Sequence, residues 1–298
     1  FDYPLHLNVG DLLIYHGTEE FFKRQRIKVR LRRSEYDINI NEIKRKITPN
    51  TTILLHGGGN FGDLYLQHQK LREEMVKHFP DNRIIVLPQT LYFKDEKNLE
   101  KSAALFRKHA DCHLLARDTR TAKAFKQFSP NVHLFPDMAH ELYGALPIKS
   151  NSSGKRLYFL RKDIEASEIE KNILAALPEN ANIKDWDDIL SDIDNIVLAL
   201  SWRLNKFANK QNRGWLKDLC HQFWFAYTKR IINRAANVFL QNEYITTTRL
   251  HGHIFSCLLD IPNCVCDNAY GKNLSYAELW TKNINFVELD KSCLNSKN

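Results

Sequence analysis

A chain of 298 residues with an apolar fraction of 43% is long enough for one large or two ordinary α/β domains and buries a core without needing disulfides. No stretch approaches the roughly 18 apolar residues of a membrane-spanning helix, and no secretory leader is read. The six cysteines form neither a Cys-x-x-Cys pair nor an even framework, so they read as free buried thiols in a reducing cytoplasm.

In chain order, Phe1-Asp2-Tyr3-Pro4 reads like the exit of a strand, with some upstream sequence missing. The turn Asn8-Val9-Gly10-Asp11 then opens a helical stretch, Leu12 to Lys23. The formal charge of +8 is concentrated next. Arg24, Arg26, Lys28, Arg30 and Arg32 alternate with Ile27, Val29 and Leu31, the period of a half-buried strand with one cationic face. Such a strand is either an edge guarded by its charges or a surface for anionic substrates or lipid headgroups. It lacks the interleaved aromatic residues of a nucleic-acid surface, so no nucleic-acid partner is expected.

The strand Thr52 to Leu55 leads into Gly57-Gly58-Gly59-Asn60-Phe61-Gly62-Asp63 and a helical stretch, Leu64 to His78. Glycines at a strand-to-helix turn let backbone N–H groups surround an anion, helped by the positive end of the helix. Gly57, Gly59 and Gly62 satisfy G-x-G-x-x-G, but the next strand, Arg83 to Leu87, ends in Pro88-Gln89 where a dinucleotide site needs an acidic residue. A kinase-type P-loop lacks its Gly-Lys-Ser/Thr.

Strands at Ile27–Leu31, Thr52–Leu55, Arg83–Leu87, His113–Ala116 and Val132–Phe135, with helices Asp95–Ala110 and Asp118–Phe128 between the later ones, give a βα rhythm and a mainly parallel sheet. The polar stretch Lys149 to Gly154 interrupts it. The rhythm restarts with strands at Arg156–Leu160, Asn195–Leu200, Asn237–Leu240 and Asn263–Cys266. The expected architecture is α/β: two Rossmann-like doubly wound domains, 1–149 and 155–298, facing a central cleft.

Ligands of such sheets sit beyond the carboxyl ends of strands. Arg117, Asp137 with His140, and Arg161 fall at those ends, and guanidinium groups suit carboxylate and phosphate. An arginine there is equally suited to pairing with a carboxylate such as Asp118 or Asp163. In Thr246-Thr247-Thr248-Arg249-Leu250-His251-Gly252-His253 the chain turns from strand to helix, so Arg249 and His251 share another strand end. Two residues on, His253 points about 200° away from His251, so one of the two faces a cleft. The His-x-His pair lacks a third ligand, and no metal is expected. From Ser201 to Ala236, Trp202, Phe207, Trp215, Phe223, Trp224, Phe225 and Tyr227 are mixed with Arg203, Lys206, Lys210, Arg213, Lys217, Lys229, Arg230 and Arg234. That mixture suits a membrane interface or a helical excursion packed by its aromatic face.

Six segments taken together resemble the polysaccharide pyruvyl transferase family: Asn8 to Asp11, Gly57 to Asp63, Pro136-Asp137-Met138-Ala139-His140, Leu160 to Asp163, Arg249-Leu250-His251-Gly252, and Asp267-Asn268-Ala269-Tyr270-Gly271-Lys272. Where related sequences often carry Ser, this chain has Ala269, which argues against an essential hydroxyl there. The resemblance implies a fold similar to GT-B glycosyltransferases and transfer of a pyruvyl group from phosphoenolpyruvate to two hydroxyls of a sugar, with no cofactor. It implies His251, Arg249 and Asp137 as catalytic residues. Asn8, Gly10, Asp11, Gly58, Gly59, Asn60, Asp63, Arg117, His140, Arg161, Leu250, Asn268, Tyr270 and Lys272 would bind phosphoenolpyruvate and the acceptor. The acceptor would be a capsule, exopolysaccharide or cell-wall precursor, free, lipid-linked or nucleotide-linked, met in the cytoplasm at the inner face of the membrane. A GT-B-type glycosyltransferase using a nucleotide sugar is the alternative.

Overall fold

A computed structural model describes residues 1–146, 154–162, 168–267 and 272–290, with backbone alone at Ile169 and Lys272. The chain is α/β and divides into two compact units. The first comprises Phe1–Leu7, Ile14–Met138 and Asn195–Tyr227; the second comprises Asn8–Leu13, Ala139–Asp194 and Thr228–Asn298. Residues 195–227, which the sequence division assigns to the second half, cluster with the first.

Helices α1 (Val9–Arg24) and α2 (Ile40–Lys46) precede the first sheet. Its strands are β1 (Ile53–Leu55), β2 (Gly58–Gly62), β3 (Ile84–Tyr92), β4 (Cys112–Ala116) and β5 (Asn131–Leu134), with α3 (Leu66–His78), α4 (Glu96–Phe106) and α5 (Thr119–Phe125) between them. All pair in parallel in the order β1-β3-β4-β5, and β2 joins β3 beyond β1, with Gly58 opposite Gln89. Phe61, Phe106, Phe125 and Phe128 interlock in the core, their ring centroids 4.9–5.7 Å apart where Phe61 meets the other three. Burial of such rings is the main stabilising term of the unit.

After the short 3₁₀ turn Met138–Leu142, the second sheet is built from β6 (Arg156–Phe159), β7 (Asn182–Lys184), β8 (Tyr244–Thr247), β9 (Asn263–Cys266) and β10 (Val287–Asp290). The intervening helices are α6 (Glu168–Ala176), α7 (Asp192–Lys210), α8 (Gly214–Leu240), α9 (Leu250–Leu258) and α10 (Lys272–Trp280). The order β10-β9-β8-β6-β7 is parallel throughout.

Three expected strands are absent. The alternating run at Ile27–Leu31 joins neither sheet. Side-chain ion pairs hold its neighbours instead: Arg32 grips Glu19 at 2.6 Å, and buried Arg33 lies between Glu42 at 2.5 Å and Asp218 at 2.7 Å. Lys217 completes this cluster, donating to Glu42 and to the Asp37 carbonyl, each at 2.8 Å. The apolar members Ile27, Val29 and Leu31 line a cavity of about 440 Å³ within the first unit.

The runs at Asn195–Leu200 and Asn237–Leu240 are helical, the first in α7 and the second in the last turn of α8. A short unbroken apolar run fits either period. At α7 the decision is made just upstream, where the Asp194 carboxylate accepts from Ser191 N–H at 2.6 Å and fixes the helix start. The glycine stretch differs too. Gly58 to Gly62 is a strand, and α3 starts at Leu66, so the helix end does not adjoin the glycines as expected. Gly62, at φ +139°, needs its missing side chain, because a Cβ would collide with the Tyr92 carbonyl.

Candidate active site

The second sheet reverses its strand order at β6, which has β7 on one side and β8 on the other. Crevices beyond the carboxyl ends of strands at such a reversal are where open parallel sheets hold ligands. Phe159, Thr247 and Val265 form one paired row across β6, β8 and β9. Arg161, Arg249 and Asp267 each lie two residues past that row.

The loops at this edge are tied together by polar contacts. Arg161 N–H donates to Thr248 Oγ1 at 3.1 Å, and Asn273 Nδ2 donates to the carbonyls of Thr248 at 2.6 Å and Cys266 at 3.1 Å. Arg249, the N-cap residue of α9, donates through Nε and Nη2 to the two oxygens of Asp185 at 2.9 and 2.5 Å. Asp185 is itself buried and also accepts from the backbone N–H groups of Lys162 and Trp186. This two-point grip removes most of the rotational freedom of a long side chain.

His251 sits in the first turn of α9 after Leu250, and the first turn of α1 packs directly on it. A Cβ at Gly10 would lie 2.5 Å from His251 Nδ1 and 3.1 Å from its Cβ. The α1 start is in turn fixed by Asn8, whose Oδ1 accepts from Gly10 N–H at 3.0 Å, with half-buried Asp11 next in line. Two helix N-termini thus flank one imidazole. First-turn N–H groups have no intrahelical acceptor and carry the positive end of the dipole. Gly252 brings α9 against the sheet, since a Cβ there would meet Thr247 Oγ1 at 2.6 Å and the Phe159 ring at 2.8 Å.

His253 is the core histidine of the pair. Its ring nitrogens contact Asn263 Oδ1 at 2.7 Å and Thr281 Oγ1 at 2.8 Å, and burial pushes its pKa down to about 4. His140 stacks on Tyr276 and reaches its hydroxyl at 3.0 Å. Asn268, Tyr270 and the side chain of Lys272 lie outside the described residues, as does Asp163.

The expected residues of the first unit form a separate group. Arg117, at the end of β4, donates to Asp137 Oδ2 at 2.6 Å and to Thr90 Oγ1 at 2.7 Å, and Asp137 is 1% exposed. The partner is therefore Asp137. Asp118 instead caps α5 by accepting from Thr121 N–H at 2.7 Å. A Cβ at exposed Gly59, beside buried Gly58, would lie 3.1 Å from Arg117 Nη2, so the guanidinium borders the glycine strand. Asn60 Oδ1 accepts from Gln89 Nε2 at 3.1 Å and from Arg72. Asp63 turns to the loop before α4, accepting from Lys94 and Asp95 N–H at 2.7 and 2.9 Å.

A match to the polysaccharide pyruvyl transferase family extends over residues 8–270, from the α1 cap past the α9 motif. The chain belongs to that family. A putative pyruvyl transferase of Bacillus subtilis, EpsO, is 40% identical over 95% of this chain and 85% of its own length. Pyruvyl transferase 1 of Schizosaccharomyces pombe is 26% identical over 93% of this chain and 68% of its own. A functionally uncharacterized Klebsiella pneumoniae protein of known crystal structure shares the fold, with a TM-score of 0.59 at 20% identity over 95% of this chain and 88% of that one. Membership in the pyruvyl transferase family makes this chain a transferase.

Sequence reasoning missed Asp185, Thr248 and Asn273 as supports of this edge, and Thr90 and Gln89 in the first unit. Asp185 carried one local signal: with Asp188 it forms a capping box around Trp186. Its contact with Arg249 spans 64 residues and has no sequence signature.

Proposed function

We propose that this chain moves the pyruvyl group of phosphoenolpyruvate onto two hydroxyls of a sugar in a capsule, exopolysaccharide or cell-wall precursor, forming a cyclic ketal and releasing phosphate. One observation carries the reading: His251, in the first turn of α9, is packed against the first turn of α1, at the strand edge that also bears Arg161 and Arg249. A small polyanion with carboxylate and phosphate close together calls for that combination of N–H donors and cations.

In this reaction the enol CH₂ carbon gains a proton and becomes a methyl group, so the neighbouring carbon becomes electrophilic. A sugar hydroxyl attacks it and loses its proton, the carbon–oxygen bond to phosphate breaks, and the second hydroxyl closes the ring with loss of its proton. His251 gives and takes protons, since an imidazole suits transfer near neutral pH. Arg249 and Arg161 stabilise the charge on departing phosphate, and the Asp185 grip holds Arg249 ready before substrate arrives. Asp137 is better suited to holding Arg117 against the glycine strand than to proton transfer, because it is buried in that pair. His140, with Tyr276, contributes to acceptor binding. Paired Rossmann-like units of the GT-B kind are part of the same proposal, supported by a parallel sheet in each unit.

The test is incubation with phosphoenolpyruvate and a panel of free, nucleotide-linked and lipid-linked sugars, read by mass spectrometry for the ketal and by phosphate release. One phosphate per ketal is the expected result. Thermal stabilisation by UDP or GDP, with none by phosphoenolpyruvate and no ketal on any sugar, would replace the proposal with a nucleotide-sugar glycosyltransferase.

A further inference from the structure

The aromatic and basic segment divides into an inner and an outer half. Trp224 is fully buried and donates to the Pro4 carbonyl at 2.7 Å, and Trp202 donates to the Leu5 carbonyl at 2.8 Å. These rings pack the first unit together. The other half is turned outward. On α7, Ile196 is 66% exposed and Phe207 54%, with Leu200 and Leu204 exposed between them; on α8, Trp215 is 59% exposed, with Leu219 and Phe223 following.

The spacing is regular. At about 100° per residue, Ile196, Leu200, Leu204 and Phe207 fall within about 80° of one another around α7, and Trp215, Leu219 and Phe223 do the same around α8. Arg203 and Lys210 border the α7 stripe within about 40°, with Lys206 further round. All three are exposed, as is Arg213 in the turn between the helices. From Asn195 to Tyr227 the only acidic residue is Asp218, and its carboxylate is taken by Arg33. From Ile196 to Lys210, helix α7 therefore carries an apolar stripe toward solvent with cations along its margin, while exposed Asp192 stands at the helix start. No helix among the described residues is long and apolar enough to cross a membrane.

We propose that the outer faces of α7 and α8 lie on the surface of an anionic lipid bilayer. Phe207, Trp215 and Phe223 sink to the headgroup level, and Arg203, Lys206, Lys210 and Arg213 engage lipid phosphates. Charge complementarity selects this occupant over a second copy of the chain. Two copies joined through this face would set like cations against each other, whereas an anionic bilayer offsets every one of them.

The experiment is sedimentation of the whole protein with vesicles of phosphatidylcholine alone or with 30% (~0.3 mole fraction) phosphatidylglycerol, a composition chosen for its surface potential. Binding to the anionic vesicles that weakens with salt is expected. Each of Lys206→Glu, Lys210→Glu and Arg213→Glu should lower the partition coefficient about five-fold or more, with circular dichroism unchanged. Phe207→Ser with Trp215→Ser should abolish binding; a single Phe207→Ser variant covers the case in which the double variant unfolds. No binding to anionic vesicles, or binding indifferent to all these changes, would overturn the proposal. So would concentration-dependent dimerisation, seen by analytical ultracentrifugation, that Phe207→Ser removes. The readout is lipid binding, so it stands or falls independently of pyruvyl transfer.

Discussion

Each unit ends one of its strands in an arginine clamped by a buried aspartate, yet the two arrangements are suited to different tasks. In the first unit, Arg117 and Asp137 are both buried, the strands run in sequential order, and the pair borders a glycine strand. In the second, Arg249 and Asp185 sit where the strand order reverses, beside an imidazole flanked by two helix starts. On the function proposed above, the first pair holds its strand ends in place and the second holds an arginine ready beside His251.

The largest effect that separates the two is expected at His251. His251→Ala should lower phosphate release and ketal formation by roughly 10²–10⁴-fold with an unchanged melting temperature. Gly10→Ala should produce much of the same loss without removing any ionisable group, because the new methyl displaces the His251 ring. Full turnover in either variant would break the assignment of chemistry to the second unit.

Next in size, Asp137→Ala strands a buried guanidinium and should lose about 3–5 kcal/mol in urea unfolding. Asp185→Ala leaves a more exposed Arg249 and removes a cap, so its loss should be about 1–2 kcal/mol, accompanied by a fall in turnover. Equal losses in the two variants would erase the distinction between scaffold and site.

The effect confined to one pH window concerns His253. His253 is held down to about 4 by burial, below the 6.5 of an unfolded histidine, so the unfolded chain binds the proton first. Its contribution is intact above pH 6.5 and declines as the pH falls toward 4, by roughly 3 kcal/mol in all. His253→Gln should flatten urea-unfolding stability across that window, and an unaltered slope would show that His253 is not a buried neutral group. The opposite sign applies to Asp37 in the first unit, which burial raises to about 6, so its ionised form there opposes folding at neutral pH.

Much of the fold was legible where local pattern and tertiary role agree. Asn263–Cys266 is the expected strand residue for residue, and Arg156–Phe159 is one residue shorter. The helix expected from Asp118 onward is α5, with Asp118 as its N-cap. The pattern misled where side-chain partners far along the chain decide the outcome, as at Arg33, whose carboxylates sit on α2 and α8. The short strands Asn182–Lys184 and Val287–Asp290 went unread, because each holds only one or two apolar residues, too few to mark a strand. For the site, Arg249 and His251 could be placed from the strand-to-helix change, whereas the Asp185 clamp and the fit of Gly10 against His251 exist only once the chain is folded.

That last fit ties together two motifs far apart in the sequence. A mutation enlarging position 10 is tolerable only alongside a smaller residue at 251, so across descendants the two sites should change together or not at all. Any redesign that grafts the Arg-Leu-His-Gly segment elsewhere must therefore carry its glycine-opened helix with it.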